Sequence, residues 1–234
     1  MAETLSSALK ILIIVTSSGQ MGEGGEPTGV WLEELAVPYL HLRDAGFDVT
    51  VVSVEGGKLP VDPRSITERG ENPEPVERFL DDGQGQQILE NSAALSSVNP
   101  SEFDAVFFPG GHGTMWDFPA DNIGQIVSDF IAADKPVAAV CHGPAALVSA
   151  TGADGKPIVD GLKVSAFTNS EEEAVGLQDA VPFSLTDRLR ELGAQVKTAP
   201  DFQPFAVRDG LLITGQNPQS SEKVAELLAA TLKN

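Results

Sequence analysis

The sequence of 234 residues has few of the residues that build disulfide frameworks, metal sites or nucleic-acid contacts. Its single cysteine excludes a disulfide within the chain. Its three histidines, His41, His112 and His142, show no metal-ligand spacing, so no metal site is predicted. The 15 basic residues are outnumbered by 34 acidic ones, and the resulting net charge of −19 disfavours nucleic acid and anionic membranes as partners.

Long apolar runs are absent too. No stretch approaches the roughly 20 apolar residues that a transmembrane helix needs. Residues Met1–Lys10 lack the pattern of a signal peptide, so we expect a soluble cytoplasmic protein. A dinucleotide-binding glycine fingerprint and a Walker A motif are also missing, so nucleotide binding is not expected.

Strand and helix patterns alternate along the chain. Strands are predicted at Ile11–Val15, Phe47–Val54, Asp104–Phe108, Pro136–Val140 and Lys163–Phe167, and helices after Thr28 (as the cap) and at Asn122–Ala133, Ser184–Leu192 and Ser220–Leu232. Asp209-Gly210 marks a hairpin turn. The pattern predicts one doubly wound α/β domain over residues 1–234, with a mostly parallel sheet and helices on both faces. Residues at about 56–95 are predicted to form a surface excursion.

Cys141 lies between a predicted strand and the helix that Gly143-Pro144 is expected to begin. Such a turn resembles a nucleophile elbow, in which the reactive side chain projects from the carboxyl edge of the sheet. The helix N-terminus is expected to lower the pKa of the thiol. The alternative is that a lone cysteine is simply a small buried apolar residue.

His142 could transfer protons to or from a substrate, although adjacent side chains at a sharp turn diverge. A carboxylate should orient its imidazole, and Glu171, Glu172 and Glu173 follow the next strand. Any one of them could equally be a solvated helix residue. The cluster Gly110-Gly111-His112-Gly113 either makes a turn or frees backbone N–H groups for an oxyanion, and the sequence leaves both possibilities open.

These motifs resemble those of the ThiJ/PfpI superfamily, which shares a flavodoxin-like fold with class I glutamine amidotransferase domains. The resemblance covers nearly the whole chain. It is carried by the segments Gly110–Gly113, Ala138–Pro144, Thr28–Glu34 with Pro38-Tyr39, and Gly215–Ser221. The last two segments are similar to the heat-shock-type branch, which includes cofactor-independent glyoxalase III enzymes.

The resemblance implies a role for several residues. Cys141 matches the nucleophile, His142 its histidine, and Glu34 the glutamate that approaches the sulfur, with Glu33 as the adjacent competitor. Glu172 matches the acidic partner of His142, with Glu171 as the alternative. Gly111 and the N–H of His142 match the oxyanion donors.

The activity that the resemblance implies is conversion of methylglyoxal or glyoxal to the 2-hydroxy acid through a hemithioacetal on Cys141, without a cofactor. A small 2-oxoaldehyde is then the substrate, and a homodimer is the expected assembly. The alternatives are a holdase chaperone, a cysteine-based oxidative-stress sensor, a protein deglycase and a peptidase or amidase.

Overall fold

The computed structural model describes residues 8–233. The prediction that the N-terminus lacks a signal peptide therefore falls mostly outside the described residues. Within them, no helix combines the length and the apolar character that a membrane span requires.

Nine strands and eight α-helices make up the described chain. The strands are β1 (Lys10–Val15), β2 (Asp48–Ser53), β3 (Ala93–Ala94), β4 (Ala105–Phe108), β5 (Val137–Val140), β6 (Lys163–Val164), β7 (Gln195–Val196), β8 (Ala206–Asp209) and β9 (Leu212–Gly215). The helices are α1 (Leu32–Asp44), α2 (Glu74–Asp81), α3 (Gly83–Glu90), α4 (Thr114–Asp117), α5 (Asp121–Ala132), α6 (Asn169–Ala174), α7 (Leu185–Glu191) and α8 (Ser221–Leu232).

Seven strands form one sheet in the order β3-β2-β1-β4-β5-β9-β8. Every pairing in it is parallel except that of β8 with β9, which form the hairpin predicted at Asp209-Gly210. Strands β6 and β7 make a separate parallel pair. The prediction of a single-domain, flavodoxin-like, mostly parallel α/β fold is confirmed.

Side chains of β1 alternate between two hydrophobic cores, one on each face of the sheet. Ile11, Ile13 and Val15 pack in the core that also holds apolar residues of α1, α2 and α8. Leu12 and Ile14 pack in the core formed with α5 and α7. Since successive strand residues face opposite sides, a strand covered on both faces is apolar throughout, as the sequence of β1 indicated.

Two local predictions are wrong. Thr28 does not cap α1, which begins at Leu32; instead its hydroxyl donates to Asp62 at 2.8 Å because this segment runs extended beside the excursion. The turn after Cys141 continues as a five-residue 3-10 helix, Gly143–Leu147, rather than as an α-helix through Ala150. The excursion itself is ordered, contains α2 and α3, and adds β3 to the edge of the sheet.

Candidate active site

Cys141 occupies the sharp turn predicted after β5. Its backbone φ is +60°, a left-handed conformation that costs a non-glycine residue roughly 1–2 kcal/mol. The N–H of Cys141 donates to the Gly215 carbonyl at 3.0 Å, and the N–H of Phe167 donates to the Cys141 carbonyl at 2.9 Å. Gly143 permits the tight turn, because a Cβ at that position would lie 2.1 Å from the carbonyl oxygen of Phe108. The fold thus holds the thiol in a strained conformation at the carboxyl edge of the sheet.

Glu34 reaches this edge from the first turn of α1. Its side chain is fully buried, and its Oε2 accepts a hydrogen bond from the Gly110 N–H at 2.6 Å. Its Oε1 has no hydrogen-bond partner among the described residues. A hydrogen bond with the Cys141 side chain favours the ionised carboxylate, whereas burial opposes it more strongly. Burial raises the pKa of Glu34 well above its usual 4.5, which favours a protonated carboxyl. The competitor Glu33 is half-buried and lines a separate surface depression.

The expected lowering of the Cys141 pKa is wrong. Burial raises the pKa of the thiol well above 9.0. The turn of 3-10 helix that follows, Gly143–Leu147, is too short to offset this desolvation. The structure therefore favours a thiol that loses its proton to a neighbouring base during attack, rather than one that is ionised beforehand.

His142 contacts both the thiol and a carboxylate. Its Nδ1 lies 3.4 Å from Cys141 Sγ, and its Nε2 lies 2.7 Å from Oε2 of Glu172. Burial opposes ionisation of Glu172, but His142 and His112 outweigh it and hold the pKa of Glu172 well below its usual 4.5. An ionised carboxylate only accepts hydrogen bonds, so it fixes the proton of His142 on Nε2 and leaves the Nδ1 lone pair facing the sulfur.

Glu171, the alternative partner of His142, points elsewhere. It forms a capping box with Thr168 at the start of α6. Its Oε1 accepts hydrogen bonds from the Phe202 N–H and from the side-chain amides of Gln216 and Asn217, at 2.8–3.1 Å. Glu172 is therefore the carboxylate at the histidine, and Glu171 joins α6 to the two loops that border the site.

His112 also belongs to the site, although the sequence reasoning gave it no role beyond the glycine cluster. It is 5% exposed, and its Nε2 lies 2.5 Å from Oε1 of Glu172. Its ring centroid lies 4.1 Å from that of His142. Burial lowers the pKa of His112 to about 4, and the positive charge of Arg64 acts in the same direction, so this imidazole is neutral at physiological pH. The sequence feature that could have indicated a role for His112 is its position among three glycines directly after a buried strand.

The two predicted oxyanion donors have free N–H groups. Among residues 8–233, no acceptor receives the backbone N–H of Gly111 or of His142. Gly111 has φ +100° and packs against the start of α1, since a Cβ there would lie 2.2 Å from the Gly29 carbonyl oxygen. Both residues line the same cavity as Cys141, so their N–H groups are available to an oxygen bound there.

The cavity over Cys141 has a volume of about 250 Å³. Its wall is largely apolar and is formed by Trp31, Phe167, Val175, Phe202 and Pro218. Its polar groups are the cysteine, the two histidines, Arg64 and Gln219. A small carbonyl compound fits this volume, and the apolar wall shields the reacting groups from water.

His112, His142 and Glu172 have the composition of a metal site, with potential ligand atoms within 4.8 Å of one another. Both Nε2 atoms are engaged with Glu172, however, and the Arg64 guanidinium lies 3.5 Å from His112 Nδ1. A fixed positive charge at that distance repels a metal cation. We interpret the cluster as a hydrogen-bonded network, and the absence of a metal stays a prediction.

Glu34→Gln is expected to make the protein more stable than the wild type at pH 7.5, with the difference shrinking towards pH 4.5. Because the pKa of Glu34 is raised above 4.5, the folded protein keeps this proton where the unfolded chain has lost it. The stability that the protonated carboxyl contributes is complete below about pH 4.5 and is lost as the pH rises through the folded pKa. Glutamine does not titrate, and its side-chain oxygen can still accept from Gly110. Thermal unfolding between pH 4.5 and 8 measures the difference.

Glu173→Gln is the matched control, since Glu173 is an exposed glutamate close to the site. Its stability should follow that of the wild type across the same pH range. A difference between Glu34→Gln and wild type that does not change with pH would show that Glu34 is ionised in the folded protein.

Comparisons with known proteins identify the family of the chain. The sequence profile of the DJ-1/PfpI family matches residues 28–231. The chain is 33% identical over 237 residues to the glutathione-independent glyoxalase hsp3101 of Schizosaccharomyces pombe, covering 95% of each chain. Rapid Encystment Protein 24 kDa of Francisella tularensis has a similar structure, with a TM-score of 0.91, 40% identity, and coverage of 97% of this chain and 100% of that one.

The crystal structure of glyoxalase III from Candida albicans is also similar, with a TM-score of 0.86 and 28% identity. That match covers 95% of this chain and 96% of the other. The family profile covers most of the described residues, including Glu34, Cys141, His142 and Glu172. The chain therefore belongs to the DJ-1/PfpI family.

Proposed function

We propose that the protein is a glutathione-independent glyoxalase that converts methylglyoxal or glyoxal to the corresponding 2-hydroxy acid. The observation that carries the proposal is the Cys141 thiol in a small apolar cavity, 3.4 Å from a histidine base and beside a buried glutamic acid. Relatives that align over nearly the full chain are named for this activity.

The first step forms a carbon–sulfur bond. His142 Nδ1 accepts the thiol proton of Cys141 while the sulfur attacks the aldehyde carbon C1. The oxygen on C1 becomes an oxyanion, which the N–H groups of Gly111 and His142 stabilise until it takes up the proton. The product is a hemithioacetal, with sulfur, hydroxyl and hydrogen on C1 and the second carbonyl still on C2.

The second step moves hydrogen from C1 to C2. A base removes the C1 proton as the C2 oxygen gains one, which gives an enediol. Protonation of C2 and loss of the C1 hydroxyl proton then give a thioester with a hydroxyl on C2, so C1 is oxidised, C2 is reduced and no external electrons are needed. Glu34 and His142 are the proposed proton carriers, because both lie beside the sulfur and can exist in two protonation states.

The third step is hydrolysis. Water adds to C1 of the thioester, and the same backbone N–H groups stabilise the tetrahedral oxyanion. The carbon–sulfur bond breaks, Cys141 regains its proton and the 2-hydroxy acid leaves. The overall reaction adds one water molecule to the 2-oxoaldehyde, which requires no cofactor.

The test is to incubate the purified protein with methylglyoxal in the absence of glutathione and to measure lactate. We expect lactate to form in proportion to the methylglyoxal consumed. Protein treated with iodoacetamide should be inactive, and the single cysteine makes that treatment specific to Cys141 among cysteines. Loss of methylglyoxal without lactate would indicate simple adduct formation and would contradict the proposal.

The described residues give little support to a holdase or a peptidase. Among the described residues, Leu9 and Val175 are the exposed large apolar side chains, which do not amount to a client-binding patch for a holdase. A cavity of about 250 Å³ suits a small aldehyde better than a peptide. A reactive free cysteine suits a reducing compartment, and we propose the cytoplasm. The homodimer implied by the family resemblance is also a proposal, which sedimentation would test.

A further inference from the structure

The proposed mechanism gives no task to His112 or Arg64, although both line the cavity. His112 follows β4, whereas Arg64 lies in a short turn of 3-10 helix in the excursion. A series of close contacts connects Arg64 with the nucleophile. It runs from Arg64 to His112, then through Glu172 to His142 and Cys141.

Two contacts determine where the His112 proton is, one with Arg64 and one with Glu172. Nη2 of Arg64 lies 3.5 Å from Nδ1 of His112, at the long limit of a hydrogen bond. A guanidinium can only donate, so Nδ1 must be the accepting nitrogen and a neutral His112 carries its proton on Nε2. That proton points to Oε1 of Glu172, 2.5 Å away.

Glu172 connects the orientation of His112 to that of His142. Its two carboxylate oxygens each accept from a different histidine, Oε1 from His112 and Oε2 from His142. With Oε1 held by His112, the carboxylate cannot rotate without losing a hydrogen bond in a buried site, which is costly. His142 is thereby kept in the tautomer that directs its Nδ1 lone pair to Cys141.

Arg64 is itself held in place by a buried carboxylate. Its Nε and Nη2 donate to Asp62 at 2.9 and 2.5 Å, and the side chain of Asp62 is fully buried. Thr28, four residues before the start of α1, donates to the same carboxylate. The excursion is thus fixed against the body of the domain at the point where Arg64 meets His112.

We propose that His112 is a positioning residue of the active site, which holds Glu172 and hence the tautomer of His142, and that Arg64 acts together with Glu172 to set the tautomer of His112. The inference rests on the proposed role of Cys141 as the nucleophile. A residue that merely filled space could stack on His142 as His112 does, but it would leave Oε1 of Glu172 buried without a donor.

The tautomers can be measured directly by long-range ¹H–¹⁵N NMR, because three histidines are readily assigned by substitution. At pH 7 we expect the Nε2–H form for both His112 and His142 in the wild type. Arg64→Met should allow a measurable fraction of the Nδ1–H form at His112, because one of the two contacts that exclude it is lost. His112→Leu should give a mixture of tautomers at His142, because Glu172 is then free to rotate. His112→Gln, which retains an N–H donor, should leave His142 as in the wild type.

Two substitutions serve as controls. Arg69→Met removes another arginine of the excursion, one that pairs with Glu77 and Asp81. His41→Gln removes the histidine of α1. Neither should alter the tautomer of the remaining site histidines.

The alkylation rate of Cys141 by iodoacetamide at pH 7 gives a second measurement that does not require turnover. We expect it to fall about tenfold in His112→Leu, because a misoriented base no longer accepts the thiol proton, and less than about threefold in His112→Gln. If His112→Leu does not fold, the tautomers and the alkylation rates of Arg64→Met and His112→Gln are compared with those of the wild type instead.

An Nδ1–H form of His112 in the wild type, or a tautomer of His142 that is unchanged in His112→Leu, would overturn the inference. The expected tautomers together with no lactate formation would support the inference and overturn the proposed glyoxalase function instead.

Discussion

Cys141→Ala is expected to lower kcat/KM for methylglyoxal by at least about a thousandfold, because the reaction is covalent and alanine has no atom to bond to C1. The remaining oxyanion donors and the cavity can still bind the aldehyde, but they cannot form the hemithioacetal. Lactate formation under initial-rate conditions is the measurement. The loss should appear in kcat, since the apolar wall that binds substrate is untouched.

The fold should survive this substitution, which separates chemistry from stability. Alanine at position 141 keeps the left-handed φ of +60° and removes only the buried sulfur, so we expect a small decrease in Tm, a few degrees at most. Circular dichroism and thermal unfolding would confirm the intact domain. Turnover within about tenfold of wild type in this variant would exclude covalent catalysis by Cys141.

Gly111→Ala is expected to destabilise the protein by about 3 kcal/mol or more and to abolish turnover in the fraction that folds. A Cβ at this position would lie 2.2 Å from the Gly29 carbonyl oxygen and 2.5 Å from the Trp31 nitrogen, both rigid backbone atoms. The start of α1 would have to move, and Glu34 and the Gly111 N–H would move with it. Urea unfolding measures the free energy, and lactate formation measures the activity.

Gly46→Ala is the matched control for the backbone conformation. Gly46 has φ +91°, close to the +100° of Gly111, but a Cβ there meets no atom within 4 Å. It should therefore cost only the strain of a left-handed alanine, about 1 kcal/mol, with activity retained. Equal losses of stability in the two variants would contradict this account. They would show that the backbone conformation alone requires glycine at position 111, and that its packing against α1 does not.

Much of the fold follows from local sequence patterns. The run Ile11–Val15 is apolar at every position because both faces of β1 are covered, and Val137–Val140 repeats this pattern just before Cys141. The tight turn at Cys141 is also local, because it depends on the strand before it and on Gly143 after it. Features of this kind need no knowledge of distant contacts.

The rest of the site depends on tertiary contacts that the sequence could not reveal alone. Glu34 lies on an amphipathic helix, where a glutamate is ordinarily solvated, and family resemblance rather than periodicity identified it. His112 meets Glu172 only because β4 and the segment before α6 end at the same edge. The pKa of Cys141 was mispredicted because a local rule about helix ends does not include the burial that the whole domain imposes.

The capping box at the start of α6 determines which glutamate faces the histidines. Thr168 fixes the first turn by pairing with Glu171, and the next residue is then directed about 100° around the helix, to the two histidines. Glu171 and Glu172 are chemically identical, and they have different roles only because they lie at different angles around the helix. A one-residue insertion between Thr168 and Glu171 would place Glu171 at the histidines, move Glu172 to the exposed position that Glu173 now holds and leave the capping box without its glutamate. The spacing from cap to carboxylate is therefore as much a part of the active site as the carboxylate itself.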